Sequence, residues 1–329
     1  MKFETLKNSI FKIDNSTTFK TIALEVFKYQ AKENKVYSEF INYLDVDVEK
    51  VKELEDIPFL PIQFFKSHRV VSNDLLEQEV FLSSGTTGMS QSKHFVSDLS
   101  VYEESYLKGF KYFYGNIKDY VVLGLLPAYL ERTGSSLIYM VDDLIKKSGH
   151  PESGFYLKDH DTLVETIIRL ENRKQKILLI GVSFALLDFL DDYNLDLKYT
   201  TIMETGGMKG RRKEMVREEL HEIFTSGFGV KSIHSEYGMT ELLSQAYSKG
   251  DGVFKCPPWM KVLIRDTEDP FSYITFGKSG GLNVIDLANI NSCSFIATQD
   301  LGRLHEDESF EVIGRFDHSD IRGCNLMVL

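Results

Sequence analysis

From about residue 80 to 228, short apolar runs alternate with amphipathic stretches, and this alternation restricts the fold more than any other feature. VFLSSGTTG leads to DLSVYEESYLKGFKYFY, and YVVLGLLPAY leads to a helical stretch around 135–147. KILLIGV leads to SFALLDFLDD, and TTIMETGG leads to a helical stretch over about 211–224. Strands that alternate with helices predict a mostly parallel sheet covered on both faces. Leu99, Tyr102, Tyr106, Phe110 and Phe113 form one helical stripe, read as core. Met215, Val216, Leu220, Ile223 and Phe224 form another, expected to face inward. In such sheets ligands gather beyond the C-terminal ends of the strands, so the loops at 83–94, 205–210 and 235–241 share one rim.

The flanks differ. Residues 16–45 have helical spacing, and 56–71 reads as an extended connector. After residue 245, WMKVLIRD, YITFG, GGLNVIDL and CSFIATQDLGRL are broken by Gly and Asp, which predicts antiparallel β structure. The reading divides the chain into a helical segment and connector (1–75), an α/β nucleotide-binding core (76–244) and a β-rich subdomain (245–329).

A chain of 329 residues can bury a large core, and 43% apolar with 26% charged residues is an ordinary globular balance. The net charge of −11 disfavours a general nucleic-acid binder but not one local anion pocket. Cys256, Cys293 and Cys324 are widely spaced, which disfavours a disulfide framework or structural zinc. The N-terminus lacks the apolar core of a signal peptide, and no apolar run spans a membrane. A cytoplasmic protein is expected, and an oligomer is compatible with the sequence.

FLSSGTTGMSQSKH (81–94) carries six hydroxyl residues, two glycines and a lysine. Such a run cannot pack a core, but it can wrap a phosphate. Gly85 and Gly88 permit positive φ and close approach of backbone N–H groups. Its spacing is not that of the common nucleotide loop, and a plain strand-to-helix turn is the bland alternative. HSEYGMTELL (234–243) places Thr240 as a phosphate donor and Glu241 as a Mg²⁺ carboxylate, or simply opens a helix. ATQDLGRL (297–304) and IGRFDHSDIRGCN (313–325) offer an Asp for ribose hydroxyls and an Arg in a turn, or merely two turns with an exposed ion pair. His94, His234, His305 and His318 lack metal-site spacing and read as surface or hydrogen-bonding residues.

In order, these signatures resemble the adenylate-forming superfamily of acyl-activating ligases. SSGTTG…K is similar to its phosphate loop, YGMTE to its Tyr-Gly-x-Thr-Glu motif, TQD to its Thr-Gly-Asp and GRFDHSDIRG to its hinge motif. PFLPIQFFKSH, METGGMKGRR and RGCN narrow the resemblance to LuxE-type acyl-protein synthetases, relatives of phenylacetate–CoA ligases. The resemblance implies an α/β adenylate-forming domain with mostly parallel sheets plus an antiparallel β subdomain. It implies ATP and Mg²⁺, a carboxylic acid as substrate, with a long-chain fatty acid as the family's suggestion and an aryl or short acid fitting equally well, and an acceptor that is a cysteine, a carrier or reductase protein, or CoA. By carry-over, Ser83, Ser84, Gly85, Thr86, Thr87, Gly88 and Lys93 hold phosphates. Gly206 and Gly207 line the adenine site, Tyr237 stacks near adenine with Gly238 beside it, and Thr240 contacts phosphate. Glu241 holds Mg²⁺, Asp300 binds ribose with Arg315 close by, and Cys324 takes the acyl group.

Two departures accompany the resemblance. Lys93 follows Gly88 by five residues, where the family's lysine follows by two. The sequence given stops at Leu329, just past the hinge motif, so the mobile C-terminal domain and its lysine are expected to be absent. Two other readings compete: a serine hydrolase using Ser183 in GVSFA, and a non-catalytic nucleotide- or partner-binding module.

Overall fold

The protein is described here from a computed structural model, which covers residues 3–83, 91–126, 134–157, 159–206, 212 and 215–316. The N-terminal segment forms α1 (Phe3–Ile10), α2 (Ser16–Glu33) and α3 (Lys35–Tyr43). The single helical stretch expected over 16–45 is therefore two helices. Asn34 divides them because it leaves helical geometry, at φ −102° and ψ 105°, and its side chain accepts from the Tyr37 amide to cap α3. The connector contributes β1 (Leu60–Pro61) and the short α4 (Phe64–Ser67), so it is only partly extended.

The strand expected before the Ser/Thr/Gly-rich loop does not lead straight into a helix. It is β2 (Glu79–Leu82), which pairs antiparallel with β3 (Lys93–Val96) in a separate two-stranded sheet. The reason is legible afterwards in β3, where His94 and Val96 are buried and Lys93 is exposed, the alternation of a half-buried strand. Only then does α5 (Leu99–Tyr114) begin, capped by Asp98, with Tyr102, Tyr106 and Phe110 buried as the stripe predicts. Each such aromatic removes on the order of 2–3 kcal/mol of apolar surface from water.

The α/β alternation follows as β4 (Tyr120–Leu125), α6 (Ser136–Ser148), β5 (Gly154–Phe155), α7 (His160–Asn172), β6 (Lys176–Gly181), α8 (Ser183–Asp192), β7 (Thr200–Glu204), α9 (Arg217–Phe228) and β8 (His234–Tyr237). Strands β4 to β8 are all parallel, and β4 is buried throughout, as a strand covered on both faces must be. Two expectations need correction. Helix α9 starts late and turns Leu220, Phe224 and Phe228 inward, leaving Val216 and Ile223 exposed. The sequence places a short strand around VKSI (230–233), before HSEYGMTELL; it lies instead at His234–Tyr237, so the motif's own tyrosine ends the strand. Gly229 ends α9 at φ 64°, where any Cβ would come within 2.5 Å of the Leu195 carbonyl oxygen.

The remainder is antiparallel as expected: β9 (Ala246–Ser248), β10 (Val253–Lys255), β11 (Met260–Arg265), β12 (Ser279–Asp286), β13 (Phe295–Leu304) and β14 (Phe310–Arg315). These strands join the parallel ones in one sheet, ordered β11-β12-β13-β14-β10-β9-β8-β7-β6-β4-β5, with β1 alongside β13. Four steps of the ladder separate β8 from β13, roughly 19 Å in a flat sheet. Yet Tyr237 on β8 touches Asp300 on β13 at 2.9 Å, so the sheet curls strongly between them. Inside the curl the Tyr237 ring packs on Phe254 and Phe310, at centroid separations of 5.9 and 5.5 Å. No helix among the described residues is long and apolar enough to cross a membrane.

Candidate functional site

The C-terminal ends of β6, β7 and β8 open onto one rim, where the loops hold one another. The Thr205 amide donates to the Gly181 carbonyl and the Ser183 amide donates to the Gly206 carbonyl. Glu204, at the end of β7, organises this corner. One of its oxygens accepts from the Ser183 hydroxyl at 2.9 Å and from the Gly206 amide at 2.8 Å. His221 lies 3.7 Å from the other. Burial pushes the Glu204 carboxyl up, but His221, the Gly206 amide, Arg217 and Ser235 outweigh it and hold it down at about 2. Gly206 sits at φ 70°, and no atom of the described residues lies within 4 Å of where a Cβ would be, so a flat ligand can lie against its backbone.

This arrangement bears on the hydrolase reading. Ser183 is buried, so its hydroxyl has no open face for attack, and it donates to the Glu204 carboxylate, which is held at about 2 and is therefore a poor general base.

At the far side of the curl, Asp300 is 4% exposed, and both its oxygens are engaged. The Tyr237 hydroxyl donates to one at 2.9 Å and the Arg315 Nε–H to the other at 2.8 Å. The Asp300 amide donates to the Thr298 hydroxyl, which donates in turn to the Leu282 carbonyl. Three residues singled out in the sequence therefore converge on one carboxylate.

The turn after Tyr237 carries Thr240 and Glu241. Glu241 is 5% exposed, and desolvation raises its carboxyl above the usual range, opposed by a bond from Ser92 and by the positive charge of Arg315 and Lys66. A buried carboxylate whose desolvation outweighs the nearby positive charge of Arg315 and Lys66 can accept a divalent cation. Among the described residues no cluster of three or more His, Cys, Asp or Glu forms a cage. Mg²⁺ needs only one or two protein carboxylates when phosphates complete its shell.

Sequence reasoning missed the groups that hold this turn. Asp286 is fully buried and accepts from the Leu243 and Ser244 amides at 2.7 and 2.9 Å and from the Ala288 amide at 3.1 Å. Burial pushes its carboxyl up to about 6, against those donors. The Asn289 side-chain Nδ2–H donates to the Glu241 carbonyl at 2.8 Å. His94 is also fully buried, and its Nδ1–H donates to the Thr240 carbonyl at 2.8 Å. Only their polar character within apolar runs, as in VIDLAN, signalled them.

The placement of the remaining candidates is mixed. Ser83 closes the hairpin, with its amide donating to the Ser92 carbonyl and its hydroxyl accepting from the Ser92 amide. Lys93 is exposed, on the face of β3 opposite His94, and so points away from Glu241. Gly238 is exposed at the rim. His234 meets the Tyr114 hydroxyl, and His305 lies 3.3 Å from Glu311. Ser84, Gly85, Thr86, Thr87, Gly88, Gly207, His318 and Cys324 lie outside the described residues.

Comparison with known proteins follows this geometry. The family model for "Acyl-protein synthetase, LuxE" matches residues 139–329, more than half of the chain. The chain belongs to the LuxE acyl-protein synthetase family. A long-chain-fatty-acid–luciferin-component ligase of Vibrio harveyi is 24% identical to this LuxE-family protein over 326 residues, covering 91% of this chain and 84% of that protein. Among solved structures, 2-hydroxyisobutyryl-CoA ligase in complex with 2-HIB-AMP and CoA superposes with TM-score 0.69 at 11% identity, covering 94% of this chain and 71% of that one. ATP-bound MatB from Rhodopseudomonas palustris superposes with TM-score 0.54 at 18% identity over 72% of this chain. The LuxE-family chain spans about half the length of that MatB, 47%. The expected α/β fold is thereby met by the superpositions, and the expected LuxE-type acyl-protein synthetase family by the family model.

Proposed function

We propose that this LuxE-family protein uses ATP to activate a carboxylic acid, a long-chain fatty acid first among candidates, and passes the acyl group to a thiol. The convergence of Tyr237, Arg315 and Asp300, on a rim shared with Thr240 and Glu241, carries the reading. It suits one nucleotide held across the curled sheet: ribose hydroxyls to Asp300, the base over the Gly206 and Gly207 backbone, phosphates toward the loop of Ser83 to Gly88.

The chemistry explains these groups. A carboxylate is a poor acyl donor because its leaving group would be oxide. When its oxygen attacks the α-phosphorus, the bond to the β-phosphate breaks and pyrophosphate departs. Charge builds on phosphate oxygens, which fixed N–H and O–H donors stabilise. A Mg²⁺ held by Glu241 would supply further charge neutralisation. Thr240 is the proposed hydroxyl donor to phosphate. Lys93 takes part only by reaching around the hairpin. A thiolate then attacks the acyl carbon and AMP leaves. Cys324 is the proposed thiol, and a carrier or reductase protein or CoA is the further acceptor.

Intact-mass spectrometry after incubation with ATP, Mg²⁺ and mixed acids tests this. The expected result is an acyl adduct on wild type that Cys324→Ser abolishes. ATP binding without pyrophosphate release from any acid would favour a non-catalytic nucleotide-binding module instead.

A further inference from the structure

Strand β13 is irregular where Asp300 sits. Gly281 of β12 pairs with Leu301, but Asn283 pairs with Ala297, so Thr298, Gln299 and Asp300 all stand opposite Leu282. A bulge of this kind breaks the ladder and re-aims side chains, and its carbonyls need donors from elsewhere. Arg265 supplies them. It lies on β11 opposite Gly281, and its buried side chain crosses over that glycine to reach the bulge. Nη2–H donates to the Thr298 carbonyl at 2.6 Å, and Nη1–H donates to the Leu282 carbonyl and to Asn283 Oδ1, both at 2.8 Å. The Leu282 carbonyl also accepts from the Thr298 hydroxyl, which in turn accepts from the Asp300 amide at 3.1 Å. A Cβ on Gly281 would come within 2.5 Å of Arg265 Cζ, so a glycine there leaves the guanidinium its place. Phe316 adds a second brace. Its ring lies 5.4 Å from the guanidinium, and its amide donates to the Gln299 carbonyl at 2.8 Å.

We propose that Arg265 is a positioning residue for nucleotide binding: by filling the β12–β13 bulge it aims the Asp300 carboxylate at the ribose hydroxyls. A guanidinium buried against neutral oxygens is costly to keep. An apolar side chain could fill the same space, but it could not hold carbonyls of two strands and the Asn283 side chain at once. The aim reaches Asp300 in two steps, from the guanidinium to Thr298 and from the Thr298 hydroxyl to the Asp300 amide. Arg315 is the cross-strand neighbour of Asp300, and Tyr237 arrives from β8. Both can meet its oxygens only while the bulge keeps its shape. What Asp300 would meet rests on the nucleotide reading above, whereas the support of the bulge does not.

Titration calorimetry on the full chain, comparing ATP with 2′,3′-dideoxy-ATP, tests this. Wild type should bind ATP at least about tenfold more tightly, because the dideoxy sugar has no hydroxyl to donate to Asp300. Arg265→Lys keeps the charge and most of the stem, but a point ammonium cannot span both strands. Gly281→Ala leaves Arg265 in the chain and displaces only the flexible end of its side chain. Both variants should cut the preference for ATP to within about threefold, with dideoxy-ATP bound as by wild type. Equal weakening of both nucleotides, with the preference kept, would be a merely structural effect and overturns the proposal. Without nucleotide, the Asp300 amide should exchange at least about tenfold faster in both variants, while the amides of β6 are unchanged. Unchanged exchange at Asp300 also overturns it. If wild type binds the two nucleotides alike, or binds neither, the nucleotide reading fails, and the exchange comparison still decides whether Arg265 holds the bulge.

Discussion

Tyr237 donates its phenolic hydrogen to Asp300 across 63 positions of sequence, at 2.9 Å. The bond joins the last residue of the parallel strands to the antiparallel half of the same sheet. It can form only because the sheet curls, and the Phe254 and Phe310 rings fill the curl beneath it. Tyr237 therefore acts less as a free stacking surface than as the group that aims a carboxylate.

Tyr237→Phe keeps the ring packing and deletes the donor. The loss of one hydrogen bond to a charged group is about 1.5–3 kcal/mol, so titration calorimetry should show ATP affinity about tenfold lower or worse, with the fold intact. Unchanged affinity would remove Asp300 orientation from the account.

Glu236 sets a pH dependence. Burial, and then the neighbouring Glu204 charge, push its carboxyl from 4.5 up to about 8. Between those values the folded protein holds a proton that the unfolded chain releases, so stability present below about 4.5 is lost as pH rises through 8. Thermal unfolding of Glu236→Gln should therefore decline less than wild type between pH 6 and 8.5. Equal declines would show the carboxyl to be solvated.

Glu204 has the opposite sign. Its folded value near 2 lies below the ordinary 4.5, so its contribution is present above 4.5 and is lost as pH falls toward 2. Glu204→Gln should cost about 2 kcal/mol in urea unfolding at pH 7, and the gap from wild type should close as the pH falls toward 2. A gap independent of pH would contradict the ionised anchor.

Asp286→Ala strands the Leu243, Ser244 and Ala288 amides and the Ser244 hydroxyl, all buried. A cost of about 3–5 kcal/mol is expected, read by denaturant unfolding, with faster amide exchange over 241–244. A cost under about 1 kcal/mol would mean that the turn has other supports.

Where local pattern decides structure, the sequence was a good guide. The apolar run ILLIG (177–181) reads as a covered strand, and the stripe of Tyr102, Tyr106 and Phe110 as a buried helix face, and both are so. It failed where one residue outweighs periodicity, as Asn34 does in splitting α2 from α3. The β2–β3 hairpin was hidden because its second strand, KHFV, is too short to show a period and its buried position is a histidine. The site divided likewise. Tyr237, Asp300 and Arg315 lie in recognisable motifs, whereas His94, Asp286 and Asn289 act through backbone groups of a distant turn, and nothing in their own neighbourhoods names that partner.

Exchange of labelled pyrophosphate into ATP tests the central claim most directly, since it reports reversible acyl-adenylate formation whatever the acceptor. Wild type should exchange only when a suitable carboxylic acid is present, and Asp300→Ala should lose at least about 100-fold of that rate, of the order of 2.7 kcal/mol. Acid-independent exchange, or none with any acid from short to long chain while ATP still binds, would contradict the account.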